Sequence, residues 1–175
     1  MPKLTDDAMR ARRESILAAA RACFARKGFH ATTIADVCRE SGLSAGGIYT
    51  HFADKHEIVA AIGRDATTSG EGAEGDWLAR LAHLQSPAGQ VDARLDLHLW
   101  SGALTDPVLH DQVSHAFDAA RAGLAAASGT DVDGGHAALL EAVVLGLEVQ
   151  RALGRALPED LPARLRALLA GEGTP

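Results

Sequence analysis

Several marks of secreted and membrane proteins are missing from this sequence of 175 residues. It has only two cysteines, Cys23 and Cys38, which is too few for a disulfide framework and suits a reducing compartment. Its most apolar segment, residues 136–149, contains Glu141 and Glu148 and is shorter than the ~20 residues that a membrane-spanning helix needs. No apolar stretch typical of a signal peptide follows the polar start. We therefore expect a cytoplasmic protein with no membrane partner.

Signals for β-strands are also missing, since no segment alternates strictly between polar and apolar residues. Prolines number only six, and aromatic residues make up 4% of the chain. The chain is 47% hydrophobic and 23% charged, as is usual for a folded globular protein. The apolar periodicity and the helix-ending residues together predict an all-α protein of about nine helices.

The net charge of −6 argues by itself against a nucleic-acid partner, but the charges are unevenly distributed. Residues 1–55 contain nine Lys or Arg and six Asp or Glu, for a net charge of +3. Residues 56–175 contain eight Lys or Arg and seventeen Asp or Glu, for a net charge of −9. A basic segment joined to an acidic one is typical of a module that binds a polyanion, although chance clustering of solvated charges gives the same count.

Four helices are predicted in the first third of the chain. The last three each follow a residue whose side chain can cap a helix N-terminus, namely Thr33, Ser44 and Asp54. Gly28 and Gly42 follow the first and second helices, as helix-ending glycines do. The predicted bounds are residues 6–27, 34–41, 45–51 and 55–66.

Five further helices are predicted after a small, polar and glycine-rich loop at residues 67–75. Pro87, Pro107, Pro158 and the stretch SGTDVDGG separate these helices, because proline and glycine interrupt helical patterns. The predicted bounds are residues 76–85, 91–105, 107–127, 136–156 and 159–170.

The segment TIADVCRESGLSAGGIYTHF, residues 33–52, has the layout of a helix-turn-helix. Two short helices meet at Gly42, where a left-handed backbone is easiest for glycine. Five side chains fall where such a pair faces a third helix: Val37, Cys38, Leu43, Ile48 and Phe52. Similar helix pairs occur in proteins that do not bind DNA, so the spacing favours DNA binding without establishing it.

Over residues 16–62, ILAAARACFARKGFHATTIADVCRESGLSAGGIYTHFADKHEIVAAI, the chain resembles the TetR/AcrR family of bacterial transcriptional regulators. The matching motifs are F-x-x-K-G-F-x-x-T-T-I-x-D-V and G-L-S-x-G-x-I-Y-x-H-F-x-x-K-x-x-I. The resemblance implies a three-helix DNA-binding domain at residues 1–54, and a helical ligand-binding and dimerisation domain at residues 55–175. It also implies a homodimeric repressor that a small molecule releases from a double-stranded DNA operator.

Carried over position by position, the resemblance implies phosphate contacts from Thr33, Tyr49 and Lys55, with the third helix in the major groove. Hydroxyl groups, lysines and helix N-termini are the usual partners of DNA phosphates. Other interpretations remain open, since Thr33 can act only as a cap, Tyr49 only as cover for the core edge, and Lys55 only as a solvated charge. The complete predicted DNA-binding set is Thr33, Ser44, Ala45, Gly46, Gly47, Tyr49, Thr50, His51 and Lys55.

Two positions depart from the family pattern. The family often has Lys or Pro at the position of Ala45 and a hydroxyl residue or Ala at that of Gly47, and here neither side chain is polar. Base contacts therefore fall to Thr50 and His51, through hydrogen bonds or against a thymine methyl group, while His51 can equally contact phosphate or its own domain. Two adjacent glycines destabilise a helix by roughly 0.5–1 kcal/mol each relative to alanine, which close approach to DNA would explain.

The effector pocket expected from the resemblance cannot be read from local motifs. Because aromatic residues are few, the pocket is predicted to be mostly aliphatic. The predicted ligand contacts are Trp77, His98, Trp100 and Phe117. The alternative is that the tryptophans belong to the core and the histidines to the surface.

Metal binding and catalysis are not predicted. Asp106 with His110 and Asp111 with His115 are spaced four residues apart, which places each pair on one helix face. The two pairs point in different directions and no cysteine lies near, so we expect no metal and no cofactor. No G-x-S-x-G or similar nucleophile motif is present, so we expect no enzyme activity.

Residues 136–170 are predicted to form the homodimer surface. Apolar side chains make one broad face there, and Gly146 allows a second helix to approach closely. The face comprises Ala137, Leu139, Leu140, Val143, Leu147, Leu161, Leu165, Leu168 and Leu169. This apolar surface is larger than two helices need to complete a single core, which favours contact with a second copy of the chain. The alternative is that the whole face lies inside one protomer.

The sequence therefore predicts a ligand-responsive transcriptional repressor. The principal alternative is a helical metal- or ligand-binding protein whose helix-turn-helix is only structural.

Overall fold

The computed structural model describes residues 6–68, 77–128 and 135–164. Within these ranges the chain is helical and contains no strand, which confirms the predicted all-α class. Residues 161–164 are helical as well, which with the eight helices below gives nine, the predicted number. None of the described helices is long and apolar enough to cross a membrane. The other eight helices are α1 (Asp6–Lys27), α2 (Ile34–Ser41), α3 (Ala45–Tyr49), α4 (Lys55–Thr68), α5 (Trp77–Gln85), α6 (Pro87–Ala103), α7 (Pro107–Ser128) and α8 (Gly135–Ala152).

The first three helices form the predicted N-terminal bundle. Ile16 and Phe24 of α1 are fully buried, because apolar residues recur on one face of this helix. Val37 of α2 and Ile48 of α3 pack into the same cluster. Apolar side chains of both short helices thus lie in one buried cluster with those of α1.

This cluster extends beyond the bundle. Ile58 of α4, Leu95 and Leu99 of α6 and Leu109 of α7 are buried in it together with residues of α1. The packing is therefore continuous across the predicted boundary at residue 54, and α6 lies directly against α1. The division into domains at residues 1–54 and 55–175 stays a prediction.

A second, smaller cluster lies between α5, α6 and α8, with Leu81, Ala93 and Leu147 among its buried members. Beside it, Nε of Arg80 donates a hydrogen bond to Oε1 of Glu148 at 2.8 Å. The Glu148 side chain is fully buried, so this ion pair compensates a charge that would otherwise be costly to remove from water.

Several helix ends differ from the prediction. Pro87 was expected to separate helices, but it is the first residue of α6, because Ser86 caps that helix by accepting from the Gly89 N–H at 3.0 Å. Proline is well tolerated at a first helical position, where no intrahelical N–H bond is lost. Helix α8 ends at Ala152 rather than near residue 156, and Gly154 follows with a φ of 81°.

The remaining differences are smaller. Helix α3 ends at Tyr49, two residues before the predicted end, and α4 continues to Thr68. Of the predicted loop at residues 67–75, the first two residues belong to α4, and the rest lies outside the described residues. The same is true of residues 165–170 in the last predicted helix.

The broad apolar face predicted for the C-terminal part is divided in the structure. Ala137, Leu140 and Leu147 are buried inside the protomer. Leu139 and Val143 lie on the other side of α8 and are 68% and 41% exposed. One side of this helix therefore completes the internal core, while a second apolar side faces outward.

Candidate nucleic-acid interface

Thr33 begins α2 with a reciprocal capping box. Its hydroxyl oxygen accepts from the Asp36 N–H at 3.2 Å, and Oδ2 of Asp36 accepts from the Thr33 N–H at 3.0 Å. Nζ of Lys27 donates to Oδ1 of Asp36 at 2.6 Å, and this bond, followed by those from Thr33, holds the pKa of Asp36 well below its usual range. The predicted cap is confirmed, and Thr33 itself remains exposed at the end of the helix.

Gly42 forms the turn between α2 and α3. Its φ of 72° and ψ of 10° are left-handed, and its N–H donates to the Cys38 carbonyl at 2.9 Å. A Cβ atom at Gly42 would meet no other atom within 4 Å, so the backbone conformation, and not a lack of space, is what favours glycine here.

Helix α3 is anchored from one side only. Ile48 is fully buried and Phe52, just after the helix, is 3% exposed. Ser44 caps the helix by accepting from the Gly47 N–H at 3.2 Å. Tyr49 is 55% exposed and Thr50 is exposed beside it. The outer surface of α3 is therefore available to a large partner while its inner surface belongs to the core.

Glycine at positions 46 and 47 is not required by the fold. A Cβ atom at Gly46 would meet nothing within 4 Å, and one at Gly47 would lie 3.5 Å from the Ser44 hydroxyl oxygen, an ordinary contact. Neither residue has the positive φ found at Gly28, Gly42 and Gly154. Gly46 thus leaves a bare position on the exposed side of α3, Gly47 lies half-buried beside Ser44, and packing within the protein requires glycine at neither position.

The side chains of His51 and Lys55 both make contacts within the protein. The His51 ring is partly buried, with its centroid 6.4 Å from that of Phe52. Nζ of Lys55 donates to the carbonyls of Phe29 and Thr32 at 2.9 and 2.8 Å, and lies 4.6 Å from the centroid of the Phe29 ring. Burial lowers the pKa of this ammonium. Lys55 is thus not merely a solvated charge, since it fixes the loop between α1 and α2.

A contact that the sequence did not indicate joins α4 to the rest of the body. Nε2 of His56 lies 2.8 Å from Oδ2 of Asp106, the residue before α7. Nε2 of Gln112 donates to the His56 carbonyl at 3.2 Å. Fifty residues separate His56 from Asp106, so no local pattern could have paired them.

Two of the predicted ligand contacts lie together. The rings of Trp100 and Phe117 have centroids 5.4 Å apart and an interplanar angle of 46°. His98 is exposed and lies in a different place, an open groove of about 360 Å³ between α6 and the end of α8. The residues lining this groove are Arg94, Leu97, His98, Ala152 and Leu153. The side chain of Trp77 lies outside the described residues.

The spaced Asp and His pairs have other partners. Asp106 is held by His56, and Nδ1 of His115 lies 2.8 Å from the Asp111 carbonyl oxygen. Among the residues whose structure is described, no group of three His, Cys, Asp or Glu side chains could hold a metal ion.

Comparison with known proteins bears on this interface. Residues 16–62 match the family profile described as bacterial regulatory proteins, tetR family. The chain is 40% identical over 67 residues to the HTH-type transcriptional repressor Rv1474c of Mycobacterium tuberculosis. That match covers 38% of this chain and 36% of the relative, so the chain spans about a third of the length of that protein.

Solved structures extend the likeness to the whole fold. Salmonella enterica GusR is 26% identical with a TM-score of 0.69, covering 97% of this chain and 98% of that one. A regulator from Saccharomonospora viridis, solved in complex with choline, is 23% identical with a TM-score of 0.62, covering 93% and 95%. These matches and the geometry of α2, Gly42 and α3 confirm the predicted resemblance: residues 16–62 are similar to the helix-turn-helix domain of the bacterial regulatory proteins of the tetR family.

Proposed function

We propose that this protein is a transcriptional repressor that binds a double-stranded DNA operator as a homodimer and is released by a small molecule. The observation that carries the proposal is the one-sided anchoring of α3. The side chains of Ile48 and Phe52 anchor the helix to the core. Gly46, Gly47 and Thr50 have no side chain or only a small one, so little projects from the rest of the helix. A helix exposed in this way fits the major groove of DNA.

The positioning of the helix on DNA rests on residues around it. Thr33, at the start of α2, and Tyr49, on α3, are exposed where they can meet the phosphates. The Thr33 hydroxyl donates to Oδ2 of Asp36 at 2.9 Å and would turn this hydrogen to a phosphate on binding. The Lys55 ammonium group has three N–H donors. Two of them form hydrogen bonds within the protein, and the third donates to a phosphate. Ser44 and Ala45 lie at the start of α3, close to the backbone of the groove, and Thr50 and His51 face the bases.

Dimerisation is assigned to residues 136–170. The outward side of α8 carries Leu139 and Val143, and Leu153 follows the last residue of the helix; each is at least 41% exposed. Gly146 lies between them, and a Cβ atom there would meet nothing within 4 Å. An exposed apolar stripe interrupted by a glycine fits close packing against the same helix of a second copy.

Release by a ligand requires a link between body and helix-turn-helix, and α4 supplies it. Its first turn carries Lys55, bound to the loop before α2, and His56, bound to Asp106 at the corner of α6 and α7. A small molecule near Trp100 and Phe117 that prefers the state incompetent for DNA binding shifts the equilibrium by about 1.4 kcal/mol for each tenfold preference. The solved fold relative in complex with choline supports a small-molecule site in a body of this shape.

Electrophoretic mobility shift with DNA upstream of the protein's own gene, followed by selection from randomised duplexes, tests the proposal. We expect one enriched sequence with two related half-sites, and affinity that falls steeply as salt rises, because phosphate contacts release counterions. Failure to enrich any sequence would favour the alternative, a helical ligand-binding protein whose helix-turn-helix is only structural.

A further inference from the structure

The side chain of Thr50 has its hydroxyl group turned toward its own helix. Oγ1 of Thr50 donates to the Gly46 carbonyl at 2.8 Å, and the Thr50 N–H donates to the same carbonyl at 3.1 Å. A threonine Cβ carries one hydroxyl and one methyl in staggered positions, so folding the hydroxyl back onto the backbone leaves the methyl as the outward group. Since Thr50 is exposed, this methyl group lies on the protein surface.

The helix face around Thr50 is otherwise bare. Gly46 precedes Thr50 by four residues and shares its face of the helix, and it has no side chain. The exposed methyl of Ala45 shares a face with Tyr49 instead, whose large side chain is 55% exposed. On the face of Gly46 and Thr50, the Thr50 methyl is therefore the group that meets an approaching surface first.

We propose that the methyl group of Thr50 reads a thymine by contact with its 5-methyl group, so that each operator half-site contains one A·T pair at this position. The inference rests on the proposed DNA-binding function. Of the four bases in the major groove, thymine alone presents a methyl group, and an apolar contact of this kind distinguishes it from cytosine. The absence of a side chain at Gly46 lets the base edge approach the methyl closely.

The test uses the full-length protein and its selected operator, in which each thymine is replaced in turn by deoxyuridine. This substitution removes the 5-methyl group and leaves every hydrogen-bonding group in place. At one thymine per half-site we expect about a fourfold weaker binding, the change that corresponds to one buried methyl group. Thr50→Ser removes the protein's methyl group and should bind the thymine and uracil operators equally.

Two variants serve as controls. Thr50→Val keeps the methyl group and lacks the hydroxyl, and it should still prefer thymine by about fourfold. Thr105→Ser removes the methyl group of an exposed threonine between α6 and α7, outside the proposed interface, and should keep the same preference. Circular dichroism of each variant checks that the helical fold is retained.

The inference is overturned if uracil is tolerated at every position by a protein that binds its operator normally, or if Thr50→Ser still prefers thymine. Loss of the preference in Thr50→Val would assign the reading to the hydroxyl and would also overturn it. A protein that enriches no DNA sequence would overturn the proposed function itself, which is a different result from specific binding that ignores the thymine methyl.

Discussion

Nε2 of His56 lies 2.8 Å from Oδ2 of Asp106, and this pair joins two parts of the chain fifty residues apart. The other oxygen of Asp106, Oδ1, accepts from the Leu109 N–H at 3.1 Å and so caps the start of α7. The bond to His56, followed by that to Leu109, lowers the pKa of Asp106. On the other side, the His56 ring lies with its centroid 5.0 Å from that of Phe29, in the loop that Lys55 also holds.

Replacing His56 with alanine should therefore affect both stability and DNA binding. We expect the free energy of unfolding to fall by about 1–2 kcal/mol, because a hydrogen bond to a carboxylate is lost in a partly buried place. Operator affinity should fall several-fold as well, because α4, whose neighbouring Lys55 holds the loop before α2, loses a bond that fixes it to the rest of the protein. Chemical denaturation and operator titration measure the two effects.

His110→Ala is the matched control for this variant. His110 lies on α7, one turn after Asp106 at the same corner of the molecule, and it is exposed. Its removal should leave both stability and operator affinity unchanged. If His56→Ala lowers stability but binds the operator as tightly as the native protein, the pair only holds the fold and does not position the DNA-binding helices.

Alanine at positions 46 and 47 should stabilise the protein and weaken DNA binding. Both sites are helical and have room for a Cβ atom, so the helix gains roughly 0.5–1 kcal/mol at each. The added methyl groups stand on the surface that faces DNA, and operator affinity should fall several-fold. Thermal unfolding should thus show a higher melting temperature, while operator titration shows a lower affinity.

Gly63→Ala provides the comparison for these glycine variants. Gly63 lies in α4, is exposed and also has nothing within 4 Å of a Cβ atom. This variant should be stabilised by a similar amount and bind the operator normally. Unchanged operator binding in Gly46→Ala and Gly47→Ala would mean that close approach to DNA does not explain the two glycines.

Lys55→Met should weaken binding to every DNA sequence by the same factor. A plot of log affinity against log salt concentration has a negative slope. Each phosphate contact that is lost should make this slope less steep by about 0.9. Stability should fall by about 1 kcal/mol, because the Phe29 and Thr32 carbonyls lose their donor. Arg155→Met, which removes an exposed charge beyond the end of α8, should change neither quantity. An unchanged slope in Lys55→Met would restrict Lys55 to its bonds within the protein.

The features that sequence reasoning recovered are those set by a few neighbouring residues. The caps at Thr33, Ser44 and Asp54 and the left-handed turn at Gly42 are local, and all are found where they were predicted. Pro87 shows the limit of such reasoning. The same residue can end one helix or begin another, and the choice depends on whether Ser86 caps the helix that follows.

Contacts between distant residues left no such signal. His56 with Asp106 and Arg80 with Glu148 are 50 and 68 residues apart, and each partner is an ordinary polar residue in or next to a different helix. Leu139 and Leu140 are adjacent in the sequence, but Leu139 is exposed and Leu140 is buried. The periodicity shows that α8 is apolar on two sides, but only the packing shows which side remains open.

Asp96 makes the stability of the protein depend on pH. It lies on α6 near the buried carboxylate of Glu148, and burial, followed by this negative charge, raises the pKa of Asp96 to about 7. In the unfolded chain the same group loses its proton near pH 4. Between these values the folded protein keeps a proton that the unfolded chain has lost, so the free energy of unfolding falls as pH rises and levels off above about 7.

We expect a loss of roughly 1–2 kcal/mol between pH 5 and pH 8, less than the full shift implies because the Asp96 side chain is 34% exposed. Asp96→Asn cannot ionise and should show a smaller decline, with a remainder from Glu148, whose pKa is also raised by burial. Asp92→Asn removes an equally exposed carboxylate that pairs with Arg21 and His83. The Asp92 charge is a lesser cause of the raised Asp96 pKa than burial and Glu148, so this variant should keep most of the decline. Urea denaturation at several pH values measures these slopes, and equal slopes in Asp96→Asn and the native protein would contradict the assignment to Asp96.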